Sequence, residues 1–114
     1  MSLQKRKPIR SKAITQAANG EACTVCGKND GTTVFCHLNE SWAGKGMGQK
    51  ADDIAGFFGC GVCHTAYDHN GKSLQKYGGH TISGPDDKEL MRAMYRTWVR
   101  LIELEVIIIK NRSS

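Results

Sequence analysis

The amino-acid sequence predicts one small α+β domain, and three observations support this. Its 114 residues fit a single domain of ordinary size. Two short segments rich in β-branched and aromatic residues predict strands, and an amphipathic segment near the C-terminus predicts a helix. Two Cys-x-x-Cys pairs stand far apart in the chain, at Cys23 and Cys26 and at Cys60 and Cys63. Because so short a chain buries little apolar surface, we expect these cysteines to contribute to folding.

The two cysteine pairs have the spacing of a structural zinc site. Each pair forms a short turn that offers two thiolates, and tetrahedral zinc takes four. Two disulfides are an alternative, but they require an oxidising compartment, which nothing in the sequence indicates. A Cys-x-x-Cys redox motif is a second alternative, but it leaves one pair unexplained.

The first twelve residues form a basic arm, so we divide the chain into an arm at 1–12 and one domain at 13–114. The whole chain has 16 Lys and Arg against 11 Asp and Glu, a net charge of +5, which favours a polyanionic partner. The arm could become ordered on DNA, where each cation displaces a counterion. It could equally be a frayed, solvated terminus. A helical turn over 13–19 is predicted to follow it.

The first predicted strand covers 32–38 and ends close to His37. Alternation places Thr33, Phe35 and His37 on one face and Val34, Cys36 and Leu38 on the other. The end of a strand is a rigid position from which to aim an imidazole.

A polar, glycine-rich loop is predicted from residue 39 to residue 53. Gly46, Gly48 and Lys50 could hold a phosphate through backbone N–H groups and one ammonium. A flexible loop explains the same composition, since the spacing of a P-loop is absent. A second short strand is predicted over 53–59, directly before Cys60.

His64 and Asp68 follow the second cysteine pair at a spacing of four. On a helix this spacing puts both side chains on one face, which suits joint binding of a metal ion or water. Alternatively, His64 makes a structural hydrogen bond and Asp68 is a solvated acid. His80 lies in a glycine-bearing loop predicted over 70–81, and no role is assigned to it.

The last helix is predicted to begin near Pro85, with acidic residues in its first turn. Its apolar stripe is predicted to contain Leu90, Met94, Trp98, Leu101, Ile102 and Glu105. Another face carries Arg92, Arg96 and Arg100, which could follow phosphates or simply face solvent. The segment 106–109 predicts a short buried strand or a docking segment, and together with the exposed part of the helix it could bury into a second copy.

In its order of motifs the chain resembles the HNH nucleases, whose fold is the ββα-metal fold. The order is a Cys-x-x-Cys pair, a strand ending in His37, a long loop, a second pair, and His64 directly after Cys63. More closely, it resembles the YbcO-like family of proposed phage and prophage nucleases. That resemblance covers about residues 8 to 110 and is carried by Cys23, 34–38, 46–50 with Asp53, 60–64 with Asp68, and 91–93 with 96–97.

The resemblance implies a metal-dependent DNA endonuclease. His37 would be the general base that deprotonates a water, and imidazole titrates near neutral pH, as that task requires. A divalent cation, Mg²⁺ or Mn²⁺, would polarise the phosphate, with His64 as its first ligand and Asp68 as its second. The expected role is in DNA recombination or processing, on a substrate that could be branched or single-stranded.

Two departures from the HNH pattern favour a different class of function. Cys36 stands where HNH nucleases commonly place an Asp ligand, and a thiolate is a poor ligand for Mg²⁺. The middle Asn is missing, and Asp53 is nearest to its position, so Asp53 is a candidate for cofactor binding together with Lys50. The alternative is a catalytically inactive zinc-knuckle protein that binds nucleic acid or a recombination partner.

The sequence also bears on the compartment. No run of about 18 apolar residues is present, so no membrane span is expected. The first residues lack the apolar core of a signal peptide, and we therefore expect the cytoplasm of a bacterial host cell.

Overall fold

The computed structural model describes residues 7–45, 50–69 and 84–110. Within them the fold is α+β, with a two-stranded sheet and helices around it. In chain order the elements are α1 (Lys12–Gln16), β1 (Val34–His37), a 3₁₀ turn (Ser41–Ala43), β2 (Gly56–Gly59), α2 (Gly61–Asp68) and α3 (Asp87–Glu103). None of the helices in these ranges is both long and apolar enough to span a bilayer.

The sheet is an antiparallel pair in which His37 lies opposite Gly56 and Val34 lies opposite Gly59. Both predicted strands are confirmed, but each is shorter than expected. The second does not begin at residue 53, because residues 53–55 form a turn in which the N–H of Ala55 donates to the carbonyl of Asp52. His37 therefore ends β1 at the edge where β2 begins.

Each face of the sheet packs into its own apolar cluster, as strand alternation requires. Cys36 and Phe57 belong to a cluster that also contains Ala93 of α3 and has Tyr67 of α2 packed against it. Phe58 lies in the other cluster with Ile14 of α1 and Leu101 of α3, and Phe35 packs against it. With so small a sheet, all three helices are needed to cover it.

α3 begins with a capping box, as the acidic first turn predicts. The side chain of Asp86 accepts from the N–H of Glu89, and the side chain of Glu89 accepts from the N–H of Asp86.

The apolar stripe predicted for α3 is only partly correct. Ala93, Thr97 and Leu101 are the buried residues, whereas Trp98 is 44% exposed. Small side chains let the helix approach β2 closely, which a stripe of large residues would prevent. Glu105 has a φ of 59° and lies beyond the end of the helix.

The segment 106–109 forms no strand. Val106 and Ile107 pack against the cluster around Phe58 and Leu101, and they dock there as irregular chain. Ile108 is 81% exposed. The predicted buried strand is therefore wrong, and only the first half of the segment docks.

Gly56 gives a direct test of the close packing between β1 and β2. A Cβ at Gly56 would clash with the carbonyl oxygen of Cys36 and would lie 2.6 Å from the ring of Phe35. We expect Gly56→Ala to lower the free energy of unfolding by about 1–3 kcal/mol, because backbone atoms must move to admit the methyl group. Gly61→Ala is the matched control, since its Cβ would meet Thr32 at an ordinary 3.4 Å, and its effect should be within about 0.5 kcal/mol. Equal melting temperatures for the two variants would contradict this account.

Candidate functional site

The four cysteines of the two Cys-x-x-Cys pairs meet in one cluster. The sulfurs of Cys23, Cys26, Cys60 and Cys63 all lie within 4.8 Å of one another. Cys26 Sγ and Cys60 Sγ are 3.8 Å apart. Four thiolates about 2.3 Å from a central zinc ion stand about 3.8 Å from each other, so the donor set and its spacing fit tetrahedral zinc. All four are free thiols, so the disulfide alternative is not realised. The cluster can hold a metal ion such as zinc.

The first cysteine pair lies on a tight turn. The N–H of Cys26 points at Cys23 Sγ at 3.5 Å, and the N–H of Cys23 donates to the carbonyl of Lys28. Gly27 has a φ of +82°, a conformation that residues with a side chain rarely adopt. The second pair is built differently, because Cys60 is the N-cap residue of α2 and Cys63 lies in its first turn.

Thr24, between the first two cysteines, ties their turn to the sheet and to α3. Its N–H and its hydroxyl both bond to the carbonyl of Phe58, at 2.8 and 2.9 Å. Thr97 lies 3.0 Å from the hydroxyl of Thr24 and accepts from the N–H of Phe58. Sequence analysis missed both threonines. Thr97 is a small polar residue at a position of α3 that the helical period places next to the core, and this was the only indication of its role. Nothing in the sequence indicated a role for Thr24.

The four thiols change one another's pKa values, and a bound cation would relieve the resulting repulsion. Burial alone would raise the pKa of Cys23, but N–H groups of Cys26, Cys60 and Val25 point at its sulfur and lower the pKa to about 7. The pKa of Cys63 is strongly raised, first by burial and then by the neighbouring sulfurs. A cation among the four sulfurs would remove the repulsion that opposes further ionisation.

His37 forms a close pair with Asp53. Nε2 of His37 lies 2.7 Å from Oδ1 of Asp53, and the side chains are 20% and 5% exposed. The other carboxylate oxygen accepts from the N–H of Ser11 at 2.6 Å. Burial opposes ionisation of Asp53, but the bonds from His37 and Ser11 outweigh it and lower the pKa of Asp53. His37 is therefore neither a ligand of the cysteine cluster nor sealed in the core.

The described part of the basic arm packs against the loop that carries Asp53. The carbonyl of Ile9 accepts from the N–H of Asp53 at 2.8 Å, and the N–H of Ile9 donates to the carboxylate of Asp52. Arg10 donates to the carbonyls of Lys50 and Ala51. Residues 9–11 are thus held by the domain rather than extended from it.

Lys50 lies at the start of the same loop and is exposed. Its ammonium is close enough to Asp53 to contribute to the lowered pKa of that carboxyl. The rest of the predicted phosphate cradle, Gly46 and Gly48, lies outside the described residues, as do His80 and residues 1–6 of the arm.

His64 and Asp68 meet on α2, as their spacing predicts. Nε2 of His64 lies 3.2 Å from Oδ2 of Asp68, and the side chains are 41% and 43% exposed. This pair is open to solvent, whereas the pair of His37 and Asp53 is largely enclosed.

The last turn of α2 lies near the end of β1, on the face of the sheet opposite His37. His37 shares its face with Phe35, since their rings are in edge contact at 5.0 Å. Tyr67 packs on the opposite face, and its hydroxyl accepts from the N–H of Asn39, two residues after His37. The last turn of α2, with Asp68, therefore lies beside the end of the strand that His37 terminates. Among the described residues, however, only the four cysteines form a group of three or more close ligands, so His64 and Asp68 supply two ligands without a third.

Cys36 is not a metal ligand in this arrangement. Its side chain is 1% exposed and packs in the cluster with Phe57. Burial, and next the charge of Asp68, raise the pKa of Cys36 to about 12, so the thiol stays protonated at neutral pH.

The arginine face of α3 is divided. Arg100 binds Glu21 through two nitrogens, the shorter contact being 2.6 Å, and also lies 3.5 Å from Glu103. This arginine ties α3 to the chain before the first cysteine pair. Arg92 and Arg96 are exposed.

Removal of metal from the cysteine cluster should unfold the domain, because ligand binding and folding are coupled in a chain with so small a sheet. We expect mass spectrometry to find one zinc ion per chain, and circular dichroism to show loss of structure after treatment with a strong chelator. Withholding Mg²⁺ should leave the protein folded. An unchanged melting temperature for the zinc-free protein would contradict a structural role for the cluster.

Comparison with known proteins identifies one family. No curated protein and no solved structure matches the chain. A family model described as "Putative nuclease YbcO" matches residues 11–104, which is most of the chain. The matched range contains the four cysteines and both His-Asp pairs. The chain therefore belongs to the YbcO family.

Proposed function

We propose that this protein is a metal-dependent DNA endonuclease of HNH type that acts in phage or prophage recombination or DNA processing. Membership of a nuclease family supports hydrolysis of a phosphodiester. The observation that carries the proposal is His37, whose ring is held by Asp53 at the end of β1 and stays partly exposed.

In this mechanism His37 is the general base. It takes a proton from a water molecule, whose oxygen forms a bond to phosphorus while the bond from phosphorus to one ester oxygen breaks. The leaving oxygen takes a proton from solvent. The partly exposed ring of His37 can reach such a water, and the enclosed carboxylate beside it stabilises the imidazolium that forms.

His64 and Asp68 would hold the divalent cation, which would supply charge to the phosphate and to the leaving oxygen. The carboxylate of Asp68 is the kind of ligand that Mg²⁺ and Mn²⁺ prefer, whereas the imidazole of His64 suits softer divalent metals better. Mg²⁺ commonly keeps several waters and binds through one or two carboxylates together with substrate phosphates. The high exposure of this pair leaves room for both. Lys50 would contribute an exposed ammonium to the DNA backbone.

One specific observation favours the second candidate, an inactive zinc-knuckle protein that binds nucleic acid or a recombination partner. The buried thiol of Cys36 occupies the position of the usual acidic ligand, and the described residues offer only two ligands at α2. The nuclease would act on DNA, branched or single-stranded, and the binding protein on nucleic acid or a recombination partner, both in the bacterial cytoplasm. The exposed Met91 and Tyr95 of α3 could bury into a second copy.

Cleavage of plasmid, single-stranded and branched DNA with Mg²⁺, Mn²⁺ or EDTA distinguishes the two candidates. We expect metal-dependent cleavage by the wild type and a loss of roughly 10²–10⁴-fold in His37→Ala, since the variant lacks the base. His69→Ala is the matched control, because His69 belongs to neither pair, and it should retain activity. A folded, zinc-loaded wild type that cleaves none of these substrates would favour the binding protein.

The role of α2 has its own test. Asp68→Asn removes the charged ligand but keeps the shape of the side chain, so cleavage should need a higher Mg²⁺ concentration while saturating metal restores part of the rate. The measurement is the rate as a function of Mg²⁺ concentration. An unchanged curve would show that Asp68 does not bind the cation.

A further inference from the structure

The carboxylate of Asp53 is fixed at both oxygens. Oδ1 faces Nε2 of His37 at 2.7 Å, and Oδ2 accepts from the N–H of Ser11 at 2.6 Å. The residue is 3% exposed, so neither bond is exchanged easily for water.

The backbone of Asp53 is fixed as well. Its N–H donates to the carbonyl of Ile9, and Ile9 is itself held by the side chain of Asp52. Arg10 adds bonds to the carbonyls of Lys50 and Ala51, at 3.1 and 3.0 Å. Segment 9–11 and loop 50–53 therefore form one hydrogen-bonded unit, and that unit holds the carboxylate in front of His37.

Charge decides which nitrogen of His37 carries the proton. An ionised carboxylate has no hydrogen to give, so the contact between Oδ1 and Nε2 requires a hydrogen on Nε2. In a neutral imidazole the other nitrogen is then an acceptor. His37 thus offers Nδ1 as the atom that can take a proton.

We propose that Asp53 is a positioning residue that acts through His37, holding the ring so that Nδ1 rather than Nε2 receives the proton of the attacking water. This inference rests on the proposed nuclease function, and it names the atom that performs the proton transfer. It also gives the basic segment 9–11 a role, because that segment supplies two of the hydrogen bonds that hold Asp53.

This role differs from cation binding by Asp53, which the sequence left open. A carboxylate enclosed by two protein donors has little capacity for a hydrated divalent ion, whereas the open pair on α2 has room for one. Asp53 and Asp68 then divide the work, one orienting the base and the other binding the cation.

The ring nitrogens of His37 can be observed directly by NMR of ¹⁵N-labelled, zinc-loaded protein above pH 7, without Mg²⁺ or DNA. We expect Nε2 to be protonated, Nδ1 to be unprotonated, and the Nε2 proton to appear far downfield and exchange slowly. In Asp53→Asn that protected signal should be lost or move upfield. Glu40→Gln is the matched control, because it removes an exposed carboxylate three residues after His37 and should keep the signal. The opposite tautomer in the wild type would overturn the inference, even if Asp53→Asn failed to fold.

Cleavage kinetics give the second readout. Asp53→Asn should lose roughly 10- to 100-fold in kcat with little change in KM for DNA, the loss seen when the partner that orients a metal-bound histidine is removed. An unchanged kcat in an active enzyme would overturn the positioning role. If the wild type cleaves no DNA, the nuclease proposal fails, while the NMR experiment still decides whether Asp53 orients His37.

Discussion

The structure depends first on the meeting of four cysteine sulfurs, two from the chain before β1 and two from the chain after β2. The sheet has only two strands of four residues each, which bury too little surface to hold three helices alone. The cysteine cluster joins the chain before β1 to the chain after β2. Thr24 extends this junction to α3 through Phe58 and Thr97. A single metal ion at this point would fix the first turn, the sheet and two helices together.

The same junction determines where α2 runs relative to the end of β1. Because Cys60 caps α2, the helix must begin at the end of β2 and run back along the sheet, so that its last turn reaches the end of β1. His37 stands at that end, on the face shared with Phe35. The candidate base and the candidate cation ligands thus come from elements whose directions are set at the cysteine cluster, far from the base itself.

The enclosed and open pairs have different physical characters, and those characters suit different tasks. Asp53 is buried and ionised, and its two carboxylate oxygens are hydrogen-bonded to Ser11 and His37, which fixes the imidazole of His37 in one orientation. His64 and Asp68 are more than two-fifths exposed, as the proposed binding of a hydrated cation requires. Cys36 lies buried on the other face of the strand from His37, and burial keeps its thiol neutral. That residue is the main reason why a binding protein remains the second candidate.

The sequence by itself determined the elements with strong local signals. The pairing of His64 with Asp68 at four residues and the capped start of α3 are local, and both are present. The meeting of the two cysteine pairs is not local, but it was predicted because zinc needs four thiolates. Other contacts between distant segments were decided only by the tertiary structure. The bond from Asp53 to His37, the docking of residues 9–11, and the burial of Thr97 in place of Trp98 depend on which surfaces meet, and helical or strand periodicity carries no such information. Periodicity identifies a face, but close packing on a small sheet selects the side chains that fit.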